Sequence, residues 1–274
     1  MGAAEKTAGA DDRSDPPSPS LLALFRVVAH KKLVLLVRYP VNTATRFATL
    51  VILFGLILFG GEAVAGAAIT DSLAGIIVGF FVWTMAIVAY QGLAWNITRE
   101  AQWGTLERLF ISPHGIGTVM LVKLVVNVLF SFLWAFATLL AMMALAREWL
   151  VVDPATVLPL LVLTVASISG LGLVFAGLAL LYKRIENIFQ LLQFAFVGLI
   201  AAPVGEVPAL AVLPVSHGSY LLQEAMRDGT RLWEFAPGEL GLLIATSAGY
   251  FLAGFAVFQI AQRRARKQGL LGQY

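Results

Sequence analysis

Six long blocks of this sequence contain no Asp, Glu, Lys or Arg. They lie between Arg46 and Glu62 (15 residues), Asp71 and Arg99 (27), Lys123 and Arg147 (23), Asp153 and Lys183 (29), Glu186 and Glu206 (19), and Glu239 and Arg263 (23). A helix crossing a bilayer needs about 20 apolar residues, and its backbone must satisfy its own hydrogen bonds there. The first block reaches that length if Arg46 snorkels from the first turn. The expected fold is therefore an all-α membrane protein with six transmembrane helices, at about 42–61, 73–97, 118–145, 155–181, 187–203 and 238–261.

Composition excludes the soluble alternative. Only 13% of residues are charged and 59% are hydrophobic, where a soluble domain carries about 25% charged residues. There is no cysteine, so disulfides, thiolate metal sites and cysteine nucleophiles are excluded. His30, His114 and His217 fall in separate segments, and no metal site is expected from them.

Lys and Arg in the short loops set orientation. Sixteen of the 19 fall in the N-terminal region through Arg46, in the second and fourth loops, and after Arg263; only Arg147, Arg227 and Arg231 fall on the other side. Both termini are expected in the cytoplasm of a multi-pass protein of the cell membrane. The sequon Asn96-Ile97-Thr98 then lies on the cytoplasmic side and is not a glycosylation site.

Residues 1–20 have no apolar run and no Ser or Thr at position six, so neither a signal peptide nor a myristoyl signal is met; a disordered cytoplasmic tail is expected. Residues 21–38 read as a basic amphipathic helix along the membrane surface, capped by Ser20, with Leu22, Phe25, Ala29, Leu33 and Leu36 on one face. The apolar, proline-rich stretch from Pro203 to Pro237 reads as a re-entrant hairpin between spans five and six, followed by an amphipathic piece around Tyr220–Arg227. Gly75 and Gly79, and the small residues around Gly170, favour close helix contact. Lys123 is expected to snorkel to the cytoplasmic surface, and His217 to cap a short helix. Residues 266–274 form a second cytoplasmic tail.

A polar island, Arg99–Pro113, separates spans two and three. On a helical period Glu100, Gly104, Glu107 and Ile111 share one face, and Trp103, Leu106 and Phe110 another. Such a segment can dock two surfaces at once. Pro113 ends it, and Gly115 and Gly117 loosen the turn into span three.

Glu100, then Gly104-Thr105-Leu106-Glu107, Leu109 and Ser112-Pro113, resemble the signature of ABC-2 type transporter permeases, the membrane subunits of ATP-binding-cassette exporters. Arg38-Tyr39-Pro40 ahead of span one, the six spans and the kinked segment after span five agree over residues 21–265. The resemblance implies a homodimer of permeases in membrane lipid, each docked on an ATP-binding cassette subunit through Glu100, Gly104, Thr105, Glu107, Ser112 and Pro113. It makes residues 21–37 a connecting helix. It also implies a translocation path along spans one, two and five; Phe80, Trp83, Tyr90 and Gln91 fall near one face of span two, and Gln190, Gln193 and Phe194 near one face of span five. Aromatics and amides without acids suit an apolar or amphipathic cargo such as a drug, lipid or glycan.

The chain contains no Gly-Lys dipeptide and hence no phosphate loop. ATP and Mg would act through the partner subunit; this chain is expected to bind no cofactor or nucleic acid itself, and not to be an enzyme. Two other classes fit less well. An intramembrane serine protease at Ser169-Gly170 would need a histidine within a span. A stand-alone secondary transporter would usually carry acids inside its spans, and the six blocks have none.

Overall fold

The computed structural model describes residues 20–65, 72–103, 109, 112–182 and 186–267. Among them the chain forms eight α-helices and no strand: α1 (Leu21–Arg38), α2 (Pro40–Ala65), α3 (Leu73–Gln102), α4 (Gly115–Ala146), α5 (Pro154–Tyr182), α6 (Glu186–Ile200), α7 (Ser216–Arg227) and α8 (Pro237–Lys267). A 3-10 turn at Pro208–Val212 separates α6 from α7. Most of the expected tails, at 1–19 and 268–274, lies outside the described residues; α8 itself carries the chain to Lys267.

Five helices, α2, α3, α4, α5 and α8, are long and apolar enough to cross a membrane. This is the architecture of a helical multi-pass membrane protein. Local signals explain several of their starts. Pro40, Pro154 and Pro237 each occupy a first helical position, where the missing N–H costs nothing and the fixed φ suits the helix. Gly115 enters α4 at φ +70, and Arg147 closes it at φ 54. Ser20 caps α1 as expected, its hydroxyl accepting from the Ala23 amide at 3.1 Å.

The fifth expected span differs. α6 has 15 residues, about 22 Å at 1.5 Å per residue, against a hydrocarbon layer of about 30 Å. It ends at Ile200 rather than 203 because Pro203 has no N–H for the helix and restricts Ala202 before it. The chain then turns through Pro203–Val207 into the 3-10 segment.

α7 begins one turn earlier than the amphipathic piece expected from sequence. Val215 introduces it at φ 69, a left-handed conformation that a β-branched residue rarely takes. The strain is held in place: Val215 is buried, its amide donates to Ser167 Oγ at 3.3 Å, and its carbonyl accepts from the Ser219 amide. Gly218 presses on Thr164 of α5 so closely that a Cβ would lie 2.8 Å from the Thr164 Cβ. The result is a short helix buried along Ser216–Ser219, Leu221, Leu222, Ala225 and Met226, filling the space between α3 and α5.

α5 is the centre of the bundle. Gly170 and Gly254 let α5 and α8 cross backbone to backbone: a Cβ on Gly170 would strike the Tyr250 carbonyl, and one on Gly254 the Gly170 carbonyl. On its other side Gly172 meets α3, where a Cβ would lie 2.9 Å from both the Ala89 carbonyl oxygen and Tyr90 Cα. Small residues here replace side-chain volume with close backbone packing, the main source of helix attraction where lipid supplies no hydrophobic drive. The Gly75–Gly79 pair does not pack on another long helix. Gly75 faces Gln223 of α7, and Gly79 faces Ile200 of α6.

Candidate polar junction at the end of the bundle

Glu100 lies in the last turn of α3 and Lys123 in the third turn of α4. Lys123 Nζ donates to Glu100 Oε1 at 3.1 Å, with the two side chains 15% and 17% exposed. Lys123 thus does not lead out to the surface, as expected from sequence, but closes the α3–α4 junction. α3 ends one turn into the polar island, at Gln102, and Trp103 is exposed. Gly104, Thr105 and Glu107 lie outside the described residues, as do Leu106, Phe110 and Ile111. Leu109 packs against the core. Ser112 is half-buried and its carbonyl accepts the Gly115 amide at 2.9 Å, while Pro113 is exposed on the turn into α4.

One turn beyond Lys123 on the same face of α4, Asn127 receives α1. Lys32 Nζ donates to Asn127 Oδ1 at 3.0 Å. Asn127 also abuts Gly92 of α3, where a Cβ would meet its Nδ2 at 3.3 Å. This contact rotates α1 relative to its expected apolar face. Phe25, Ala29 and Leu36 pack inward, but Leu22 and Leu33 are exposed and Lys32 is turned into the contact. The half-buried Asn127 amide gives the Lys32 ammonium a charge-assisted hydrogen bond in this orientation. Sequence reasoning missed both Lys32 and Asn127. The available signal was that Asn127 is the one amide in its uncharged block and stands four residues, one helical turn, from Lys123.

The residues expected along a path divide into two groups. Phe80 and Tyr90 are buried, and Tyr90 is a strut: its hydroxyl donates to the Phe189 carbonyl at 2.6 Å and accepts from Gln91 Nε2 at 2.8 Å. Trp83 Nε1 donates to the Gln193 carbonyl at 3.2 Å. Phe80 packs between Phe54 of α2, edge to face, and Trp83, tilted, with ring centroids 5.6 and 5.3 Å apart. These contacts tie α2, α3 and α6 into one unit. Gln190 and Phe194 lie on the outer face of α6, Phe194 67% exposed, and Gln193 is half-buried between the two groups.

At the opposite end of the bundle, Asp153 caps α5. It accepts from Thr156 Oγ1 at 2.6 Å and from the Ala155 amide at 3.2 Å. The Thr156 hydroxyl bond, with the backbone amides, holds the Asp153 carboxyl below its ordinary range. His217 Nε2 donates to the Glu239 carbonyl at 2.9 Å, so it joins α7 to α8 from within rather than capping α7. Ser167 and Ser169 return their hydroxyls to the Thr164 and Val165 carbonyls of their own helix.

The contacts separate the positive charges by end. Lys32, on Asn127, and Lys123, on Glu100, lie at the α3–α4 junction, with Arg99 in the last turn of α3. At the same end Arg263 and Arg266 border a cavity of about 320 Å³ with His114 and Thr118. Arg231 lies at the Asp153 end. Comparison with known proteins adds nothing to this picture: no protein-family model, curated protein or solved structure matches the chain.

Proposed function

We propose that this chain is the permease subunit of an exporter of the ABC-2 kind, moving an apolar or amphipathic cargo across the cell membrane while a separate ATP-binding cassette subunit hydrolyses ATP. The observation that carries the reading is the Glu100–Lys123 pair. It joins the polar island, which bears the resemblance to the ABC-2 signature, to the long helices on both sides of it.

The mechanism follows from where α3 runs. It is a 30-residue helix, about 45 Å long at 1.5 Å per residue. It contacts α4, α5, α6 and α7. A displacement of residues 99–113 by a closing ATPase pair would enter α3 through Glu100 and α4 through Lys123. Trp83 and Tyr90 would pass it to α6, and Gly75 to α7. Two such bundles, one per permease copy, would rock between inward-open and outward-open arrangements. Nucleotide and Mg belong to the ATPase, since this chain has no phosphate loop.

In this reading both termini and the cationic end are cytoplasmic, in line with the Lys and Arg bias of the loops. The six-span count is completed by α6 together with the turn after it. The 3-10 turn and α7 would form the re-entrant element; α7 is the part covered by protein, buried along Ser216–Ser219, Leu221, Leu222, Ala225 and Met226. The test is co-purification of the tagged chain from its native membrane in mild detergent. An ATP-binding subunit is expected with it; repeated isolation without one overturns the proposal.

A further inference from the structure

The cavity between the start of α4 and the end of α8 has a graded lining. On α8, Phe255, Gln259, Gln262 and Arg266 recur every three or four residues and so share one face, with Arg263 beside them. On the α4 side the lining runs from His114 through Gly117 and Thr118 to Leu121. Gly117 lets the two helices draw together there: a Cβ on it would lie 3.9 Å from Gln262 Oε1. Leu121 and Phe255 lie farthest from this end of the bundle along their helices, so the cavity is apolar at its inner edge and cationic at its outer one.

The lining suits an anion. Among the described residues no carboxylate borders the cavity. Gly117 and Thr118 stand in the first turn of α4, where amide N–H groups and the helix dipole present partial positive charge. His114 Nε2 is shielded from solvent and has no hydrogen-bond partner among the described residues. A polar atom left so costs free energy, and a bound group can supply the missing bond. The volume, about 320 Å³, falls within the range of small-ligand sites, about 300–1,000 Å³.

We propose that this cavity binds a phosphate group, carried on a lipid headgroup or free in solution, between the Arg263 and Arg266 guanidinium groups and the start of α4. Planar guanidinium forks match phosphate oxygens and bind them by charge-assisted hydrogen bonds. The graded lining favours the lipid source. Val125 and Leu129 continue the Leu121 row of α4, and Leu252 the Phe255 row of α8; all three are exposed. A phosphate held at the arginines would lay its acyl chains along that apolar surface. Basic pockets between membrane helices near a charged leaflet bind anionic headgroups in this way.

The site is independent of the transport reading and its test needs no transport. The full chain, purified in detergent, is offered phosphatidylglycerol and phosphatidylcholine at equal concentration, and retained lipid is counted by native mass spectrometry. Phosphatidylglycerol should be retained preferentially. Arg263→Gln and Arg266→Gln should each weaken its retention about fivefold, the effect of one basic residue at an anionic surface, with phosphatidylcholine unchanged. Arg264→Gln removes the same charge beside the cavity but outside its lining, and should leave retention unaltered. All three arginines are exposed, so the variants are expected to fold. The second arm measures thermal stabilisation of the lipid-stripped chain by inorganic phosphate against chloride at equal ionic strength. Stabilisation that is lost in Arg263→Gln shows a site for phosphate in general; preference for phosphatidylglycerol without it shows a lipid headgroup site. Absence of both effects, indifference of the observed effect to Arg263→Gln and Arg266→Gln, or an equal loss with Arg264→Gln overturns the proposal.

Discussion

Lys123 Nζ and Glu100 Oε1 meet at 3.1 Å, 23 residues apart in sequence and both largely shielded from solvent. Removing one partner leaves a shielded charge without its counter-charge, which typically costs about 3 kcal/mol or more. Glu100→Gln and Lys123→Gln should therefore each lower the melting temperature in detergent. The double variant should be more stable than the sum of the two losses, with a coupling of about 1–3 kcal/mol. Simple additivity would show that the pair does not hold the junction.

Glu107→Arg tests the polar island itself. The variant should insert and accumulate in the membrane like the parent, because the change falls in a polar loop between two apolar blocks. Partner-dependent export should fall to background. Undiminished export would remove the coupling role from this segment.

Two glycines of α8 should respond in opposite directions. At Gly254 a Cβ would strike the Gly170 carbonyl, so Gly254→Ala must push α5 and α8 apart, a cost of about 1–3 kcal/mol by analogy with overpacked cores. At Gly249 nothing lies within 4 Å, and Gly249→Ala should stabilise the helix by up to about 1 kcal/mol. Thermal unfolding followed by size-exclusion chromatography separates the two cases.

Tyr90→Phe deletes the hydroxyl that joins α3 to α6 while keeping the ring on Phe196, 5.0 Å between centroids. A loss of about 1 kcal/mol is expected. Faster amide hydrogen exchange should be confined to residues 186–200. Exchange spread evenly over the bundle would contradict the strut.

The Asp153 cap carries a pH signature. Its folded-state pKa lies below the unfolded value, so its contribution is complete above the ordinary carboxylate range and is lost as pH falls through the depressed value. Hydrogen exchange in the first turn of α5 should stay slow down to the ordinary carboxylate range and quicken only below it. Asp153→Ala should quicken exchange at neutral pH, match the parent below the depressed value and so abolish the acid transition.

Much of the fold was legible because charge and proline leave little freedom in a chain this apolar. The uncharged block after Asp71 marks the start of α3, α1 starts at Leu21 behind its Ser20 cap as expected, and Pro40, Pro154 and Pro237 open three helices. The fifth span was less legible. Apolar composition continues past Ile200, but Pro203 stops the helix, and backbone geometry rather than hydropathy decides its length. The candidate site was legible only in part. Glu100 was visible as a charge at the end of an apolar block, whereas its partner Lys123 looked like an ordinary snorkelling residue. The face of α1 was misread because periodicity ranks side chains by apolarity, and no term in it represents an amide waiting on another helix.

The sequence by itself determined that the chain builds long apolar helices and where most of them begin. These depend on composition and on spacing along one chain. The tertiary structure alone decided which helix faces meet. Gly170 finds Gly254, Lys32 finds Asn127, and Val215 takes a strained conformation to seat α7 against Ser167. Helices of near-uniform apolarity carry little record of their partners, because lipid and protein offer them similar solvation. Backbone approach at glycines and a few buried hydrogen bonds then choose the arrangement.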